Sequence, residues 1–290
     1  MASLKEIKSR IQSVKSTQKI TSAMKMVSAA KLRKAQNRIE NFYPYQQKLT
    51  HILNNFLSAE TENSSIYADN REVKRVAILV FSSNSSLCGG FNSNVTKKLT
   101  AVLENYNQLG KENILIYPIG KKISKAVHKM GFPIQNNYDD MADKPSYPAT
   151  LALADDVLDL FRDQQVDKVE LIYHHFVSKS SQSLVNETLL PITLDLTNEK
   201  QAGMQLNYIV EPDRENMMSE LIPKVLRLKV YTALIDSNAS EHAARTIAMQ
   251  TATDNADDLL QELNLQYNKS RQQAITNELL DIIGGSFGQN

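Results

Sequence analysis

The chain has no tryptophan, a single cysteine at position 88, and no aromatic residue before Phe42. One cysteine excludes an internal disulfide and fits a reducing compartment. No apolar run reaches the roughly 18 residues that read as a membrane-spanning helix. The N-terminal stretch MASLKEIKS has neither an apolar signal core nor the Arg/Ser-rich character of a transit peptide. His51, His128 and His242 stand alone in sequence. His174 and His175 are adjacent in a predicted strand, so they face opposite sides of it. There is no H-x-x-x-H, no C-x-x-C and no clustered carboxylate pattern, so no metal site is expected. Asp139–Asp140 and Asp155–Asp156 read as loop and solvated-helix acids. These absences leave no catalytic constellation, and no cofactor is expected.

Helix breakers are also scarce where it matters. After Pro223 there is no proline and no glycine until Gly284–Gly285. The stretch from about Pro212 to Gly284 therefore reads as one very long helix. Asp213 stands at its N-cap, Glu215 lies in its first turn, and the glycine pair is its expected stop. Pro223 is expected to kink it or divide off a short first piece. Some seventy residues would span roughly 100 Å, more than a domain of this size can bury. Such a rod must pack on another rod or project into a partner.

A second rod is legible at the other end. Residues 3–57 read helical, with Ser3 and Glu6 as a capping box and Pro44 as the only breaker. Leu4, Ile7, Ile11 and Val14 form an apolar stripe, which Ile20, Met24 and Val27 resume after a slip. On the long C-terminal helix, Ala244, Ala248, Ala252 and Ala256 recur every fourth residue, after Ala239 and Ala243. Small residues along such a ridge let a second helix approach closely. Ala23, Ser28, Ala29, Ala30 and Ala35 answer them on the first helix.

The net charge of +1 hides an uneven distribution. Residues 1–38 hold ten Lys/Arg, against Glu6 as the only acid. A solvated basic face is one reading, and an acidic partner is the other. Without aromatic residues, stacking on nucleobases lacks its usual tools. Thr17, Gln18, Thr21, Ser22 and Ser28 interrupt the apolar face that a membrane-surface helix needs. An acidic protein surface fits best.

Between the rods lies a polar linker, 58–72, and then a domain at 73–211. Val73–Ser82 reads as a strand buried on both faces. A helix is expected near Val95–Leu109, a strand at Asn113–Ile119, and helices at Lys121–Met130 and Pro148–Phe161. Strands at Val166–Val177 and Ser183–Leu194 follow, joined as a hairpin across Ser178–Gln182. Alternating strands and helices indicate a small, mostly parallel sheet of Rossmann-like type. The fold class expected is α/β: a Rossmann-like domain inserted between long N-terminal (1–57) and C-terminal (212–285) helices that form an antiparallel coiled coil, followed by a tail at 286–290.

The loop Leu87–Asn94 (LCGGFNSN) follows the first strand and precedes a helix, where α/β folds bind phosphate. It is neither G-x-G-x-x-G nor G-x-x-x-x-G-K-[ST]. Gly89 and Gly90 serve equally well as a tight turn. Cys88 near a helix N-terminus has the position of an activated thiol, but no base accompanies it in sequence.

Four stretches carry a resemblance. Lys19–Gln36 (KITSAMKMVSAAKLRKAQ), Leu87–Asn94, Ser240–Ala256 (SEHAARTIAMQTATDNA) and Asn264–Gly285 (NLQYNKSRQQAITNELLDIIGG) resemble the gamma subunit of F-type, bacterial-type ATP synthases. The resemblance covers both termini and the order of elements between them. The central domain is similar in pattern more than in residues.

The resemblance implies a central rotor shaft that couples transmembrane proton flow to ATP synthesis or hydrolysis. It would turn within the ring of alpha and beta subunits without being catalytic itself. It implies as further partners the epsilon subunit and the membrane ring of c subunits. No nucleic acid is expected, and contact with a membrane only through the complex, at the cytoplasmic face of the cell membrane. By family position, the residues meeting the ring are Lys19, Met24 and Lys25 on the first helix and Arg245, Gln272, Thr276 and Glu278 on the last. Lys31 and Arg33 join them as members of the basic run. The family's acidic, basic and glycine residues before Leu-Cys-Gly-Gly are here Asn84, Ser85 and Ser86, so an ion pair is missing. A start directly at MASLKEIKS is bacterial in type, and the cysteine-bearing insert of chloroplast relatives is lacking. Two other readings stay open: a Rossmann-like enzyme using LCGGFN for a nucleotide, and a coiled-coil scaffold binding nucleic acid through residues 1–38. The first would carry a bound nucleotide. The second would bind DNA or RNA with a steep salt dependence.

Overall fold

The computed structural model describes residues 3–58, 65–192, 210–211 and 213–287. Its elements are α1 (Leu4–Ser58), β1 (Val76–Phe81), α2 (Phe91–Asn105), β2 (Ile114–Ile119), α3 (Lys121–Met130), α4 (Asp139–Asp143), α5 (Tyr147–Arg162), β3 (Lys168–Phe176), β4 (Gln182–Leu190) and α6 (Arg214–Phe287). The chain forms two compact units, one of residues up to Ala29 and from Arg245 onward, the other of Ala30–Ala244.

Both long helices start as expected. The Glu6 N–H donates to Ser3 Oγ at 3.2 Å, and the Asn216 N–H donates to Asp213 Oδ1 at 2.8 Å. These side chains satisfy donors that the first helical turn leaves open. Other expectations were too cautious. Pro44 and Pro223 lie inside continuous helices, so Pro223 divides nothing off. The pair Gly284–Gly285 does not stop α6, which runs on to Phe287. Glycine costs a helix about 1 kcal/mol relative to alanine but keeps its N–H donor, so the hydrogen-bond ladder continues.

In the unit of Ala30–Ala244, the sheet order is β2-β1-β3-β4. β1 pairs parallel with β2 and β3, while β4 closes the edge antiparallel to β3. The hairpin turn is tied by the Ser178 N–H donating to Ser181 O and the reverse bond. Every residue of β1 and β2 is buried, because helices cover both faces. Ala77, Leu79, Phe81, Leu171 and Tyr173 face α5, the start of α6 and the end of α1. Val76, Ile78, Val80, Ile116 and Ile172 face α2 and α3. The strand pattern and the parallel sheet are therefore as read from the sequence. Of the last predicted strand, residues 193–194 lie outside the described residues, as do residues 59–64 of the linker stretch expected at 58–72.

The other unit is a pair of helix ends. The Gln18 amide donates to Asp257 Oδ1 at 3.0 Å, and the hydroxyls of Thr21 and Thr253 meet at 2.9 Å. Residue numbers rise on one helix as they fall on the other, so the pairing is antiparallel. On α1 the buried and half-buried positions are Leu4, Ile7, Ile11, Val14, Gln18, Thr21, Lys25 and Ser28, with Ser22 and Met24 beside them. Their spacing alternates three and four without a slip, the heptad rhythm of a coiled coil. The seam on α6 is Thr246, Met249, Thr253, Ala256, Leu260, Leu263 and Tyr267.

Two seam expectations are corrected here. Ile20 and Val27 do not resume the apolar stripe; they are 60% and 57% exposed. Of the alanine row, Ala256 lies in the seam, whereas Ala244, Ala248 and Ala252 are only half-buried beside it. In both cases polar residues occupy the seam, so following hydrophobicity leads one position off it.

Candidate partner interface

The paired helix ends mix polar and apolar side chains in an unusual way. Their interior holds Ile7, Met249, Ala256 and Leu263 but also Thr21, Ser28, Thr246 and Thr253. Their outside carries Ile20, Val27, Leu259, Leu265 and Met26, the last 63% exposed. Beyond the pairing register, α6 continues alone. With Thr21 opposite Thr253, Leu4 falls opposite about residue 270, so the last seventeen or so residues extend roughly 25 Å without a partner helix. That stretch exposes Ile275, Leu279, Leu280, Ile282 and Ile283. Apolar surface on this scale marks a protein–protein contact rather than a monomer's solvated face.

The candidate site residues fall into separate groups. Lys19 is exposed, and Met24 and Lys25 are half-buried at the seam's edge. Gln272, Thr276 and Glu278 are exposed on the unpaired stretch, roughly 35–40 Å along α6 from the partners of Met24. Thr276 hydroxyl donates back to Gln272 O at 2.9 Å, so it is satisfied within its own helix. Lys31 and Arg33 are exposed, but they belong to the other unit. Arg245 differs from all of these: it is 7% exposed, leaving little surface to offer. Among the described residues, none of the basic side chains of residues 3–38 is paired with a carboxylate. The field of that run is therefore unneutralised from within.

The loop after β1 is closed on itself. Leu87 and Gly89 adopt positive φ of 67° and 58° to turn the chain into α2. The Asn92 carboxamide oxygen accepts from Ser83 N–H at 3.1 Å. Its Nδ2 donates to Ser83 Oγ at 2.8 Å and to Cys88 Sγ at 3.1 Å. Cys88 is buried. Asn84 ties the loop to its neighbours. It donates to Asp143 Oδ2 at 2.7 Å and Asp139 O at 2.8 Å, and accepts from Lys121 N–H at 2.9 Å. An amide can donate and accept at once, which lets one side chain hold three partners.

The two adjacent histidines point to opposite faces of β3. His174 is buried and stacked on Phe91 at 4.4 Å, and desolvation lowers its pKa to about 4. His175 lies against α6, its Nδ1 at 2.5 Å from Asp236 Oδ2. Among the described residues, no group of three or more His, Cys, Asp or Glu is placed to hold a metal ion, and no helix is long and apolar enough to cross a membrane. The sequence reading missed the exposed apolar face of the paired helices and the His175–Asp236 contact. Counting strict heptads forward from Leu4 would have found the first. The second joins positions 61 apart and leaves no local signal.

An antiparallel helix pair with apolar and basic groups exposed on its outside, in one chain with an α/β domain, defines a protein built to be handled by other proteins. The family model described as ATP synthase matches residues 3–287. The chain belongs to the ATP synthase gamma chain family. It is 60% identical to the ATP synthase gamma chain of Phocaeicola vulgatus over 290 residues, covering 99% of this chain and 100% of that one. It is 59% identical to that of Bacteroides fragilis over 289 residues, with the same coverage. Among solved structures it is similar to a chain of the Tetrahymena thermophila mitochondrial ATP synthase central stalk and c-ring. That chain is 26% identical with a TM-score of 0.60, and the match covers 80% of this chain and 99% of the other. A chain of the Euglena gracilis mitochondrial ATP synthase matches in fold, with a TM-score of 0.65 at 20% identity, covering 98% of this chain and 94% of the other.

Proposed function

We propose that this chain is the central rotor shaft of an F-type ATP synthase. It couples transmembrane proton flow to ATP synthesis or hydrolysis by turning within the ring of alpha and beta subunits. It is a non-catalytic, peripheral subunit at the cytoplasmic face of the cell membrane, joined there by the epsilon subunit and the c-ring. The observation that carries this reading is the exterior of the helix pair: apolar and basic groups stand exposed along it and on the unpaired end of α6. A shaft enclosed by other subunits needs such an exterior, and a free coiled coil does not.

On this reading Lys19, Lys31, Arg33, Gln272, Thr276 and Glu278 meet the ring directly, with Met24 and Lys25 at the edge of the seam. Arg245 acts from inside, by holding the helix pair that presents the others. Shallow contacts suit a surface that passes three equivalent neighbours in turn, since a deep contact would trap one angle. The test is assembly. Expressed with its alpha and beta subunits, the chain should co-purify in a complex that hydrolyses ATP and rotates a probe fixed to it. Active complex that forms equally well without the chain, or a probe that stays still during hydrolysis, would remove the proposal.

A further inference from the structure

We propose that His175 and Asp236 form a proton-operated clasp that holds the sheet to α6 and loosens as pH rises. Asp236 takes part in one of several polar links that α6 makes with the domain in this stretch. The Asn238 amide donates to Ala142 O at 2.8 Å, and the Ser240 hydroxyl donates to His174 O at 3.1 Å. Those two bonds join groups that do not titrate. Between them stands His175 Nδ1 against Asp236 Oδ2 at 2.5 Å. The apolar contacts around it, Leu32, Ala35, Ala239 and Ala243 with Phe176 beside them, are non-directional and do not fix an angle. The polar links do.

The two partners are placed unequally. The Asp236 side chain is 1% exposed, while His175 is 35% exposed and in contact with water. Asp236 Oδ1 has no hydrogen-bond donor among the described residues. An ionised Asp236 would thus be a buried charge with one of its two oxygens unsatisfied, a costly state. The titratable groups facing the pair make matters no better. They are Tyr43 from α1, Tyr173 from β3 and Glu187 from β4, with the Tyr173 hydroxyl donating to Glu187 Oε1 at 3.3 Å. Apart from His175 itself, none of them supplies a positive charge. Burial accordingly raises the Asp236 pKa to about 6, although the hydrogen bond and charge of His175 pull it down and Glu187 pushes it further up.

The sign follows from linkage. A carboxyl whose pKa is higher when clasped than when solvated takes up a proton on closing. Closing is therefore favoured at low pH, and the advantage fades as pH rises through about 6. Between pH 5 and pH 8 the opening equilibrium should grow about tenfold.

Hydrogen exchange of the full chain tests this, read on peptides spanning 170–176 and 234–241 and corrected for the intrinsic pH dependence of exchange. The wild type should show the tenfold rise in opening, and Asp236→Asn should be flat. His175→Gln keeps a hydrogen-bond donor but removes the titratable charge, so its midpoint should move to higher pH. A wild-type profile without the rise, or the same rise in Asp236→Asn, would overturn the clasp. Should Asp236→Asn fail to fold, His175→Gln decides alone, because an unmoved midpoint contradicts the proposal.

Discussion

Single residues in this chain are constrained by what their neighbours already use. Gly120 sits at φ +106° at the entrance to α3, and a Cβ there would lie 2.5 Å from Ser82 O. That carbonyl belongs to the backbone at the end of β1 and cannot swing aside. Gly120→Ala should therefore lose roughly 1–3 kcal/mol from the backbone strain alone, and more from the clash. A lowered urea midpoint with an unchanged slope would show it. His174 supplies a second case. Its pKa is lowered to about 4 because burial disfavours the charged ring. A depressed histidine contributes stability above its solvated pKa of about 6.5 and loses it as pH falls toward 4. The loss should reach roughly 3 kcal/mol. In global unfolding Asp236 runs the other way over much of the same window, so the two offset each other there, whereas opening of the clasp alone leaves the His174 ring stacked on Phe91 on the other face of β3. The comparison of variants separates them: relative to the wild type, His174→Gln should gain stability between pH 7 and pH 5, and Asp236→Asn should lose it. Urea midpoints for the three proteins at both values give the differences directly.

At the scale of elements, what the sequence shows depends on whether a pattern is local. α3 falls on the predicted Lys121–Met130, and β1 to β4 fall within about three residues of expectation at the ends that are described. Buried strands and amphipathic helices announce themselves within ten residues. The two caps at Ser3 and Asp213 do so as well. The phase of the helix seam does not, because it is decided by which residues the other helix covers. Gln18, Thr21, Lys25 and Ser28 are inside, so an apolar stripe drawn through Ile20 and Val27 lands outside. Of the residues named by family position, Lys19, Gln272, Thr276 and Glu278 lie on exposed helix surface, where a partner could reach them. Only the burial of Arg245 ran against expectation. The corrected seam makes a prediction that distinguishes neighbouring alanines. Ala256→Leu should overpack the interior and cost roughly 1–3 kcal/mol, whereas Ala248→Leu, half-buried beside the seam, should cost about 1 kcal/mol or less. Thermal melting of the two variants checks this, and equal shifts would put the seam on the alanine row after all.

For the whole molecule, the question is what a basic, apolar-skinned helix pair does if the surface it meets is acidic, as its charge pattern leads one to expect. The chain is nearly neutral overall, yet residues 1–38 carry ten Lys/Arg against one Glu. A field so localised steers and orients rather than glues, because each exposed contact contributes at most about 1 kcal/mol. Removing one charge should therefore barely change the complex. The collective effect is a different matter. Reversing Lys19, Lys31 and Arg33 together to Glu leaves the seam intact, since all three are exposed, while turning attraction to an acidic ring into repulsion. The assembled enzyme should then hydrolyse ATP with a reduced yield of ions pumped per ATP. The defect should deepen as ionic strength falls, because screening lengths grow from about 8 Å at physiological salt to about 30 Å at 0.01 M. Hydrolysis and pumping measured in parallel on inverted vesicles, at two salt concentrations, give both the direction and the salt dependence. Pumping that matches the wild type at low salt would mean that rotation is transmitted by shape alone, with the basic run serving only to keep the helix solvated.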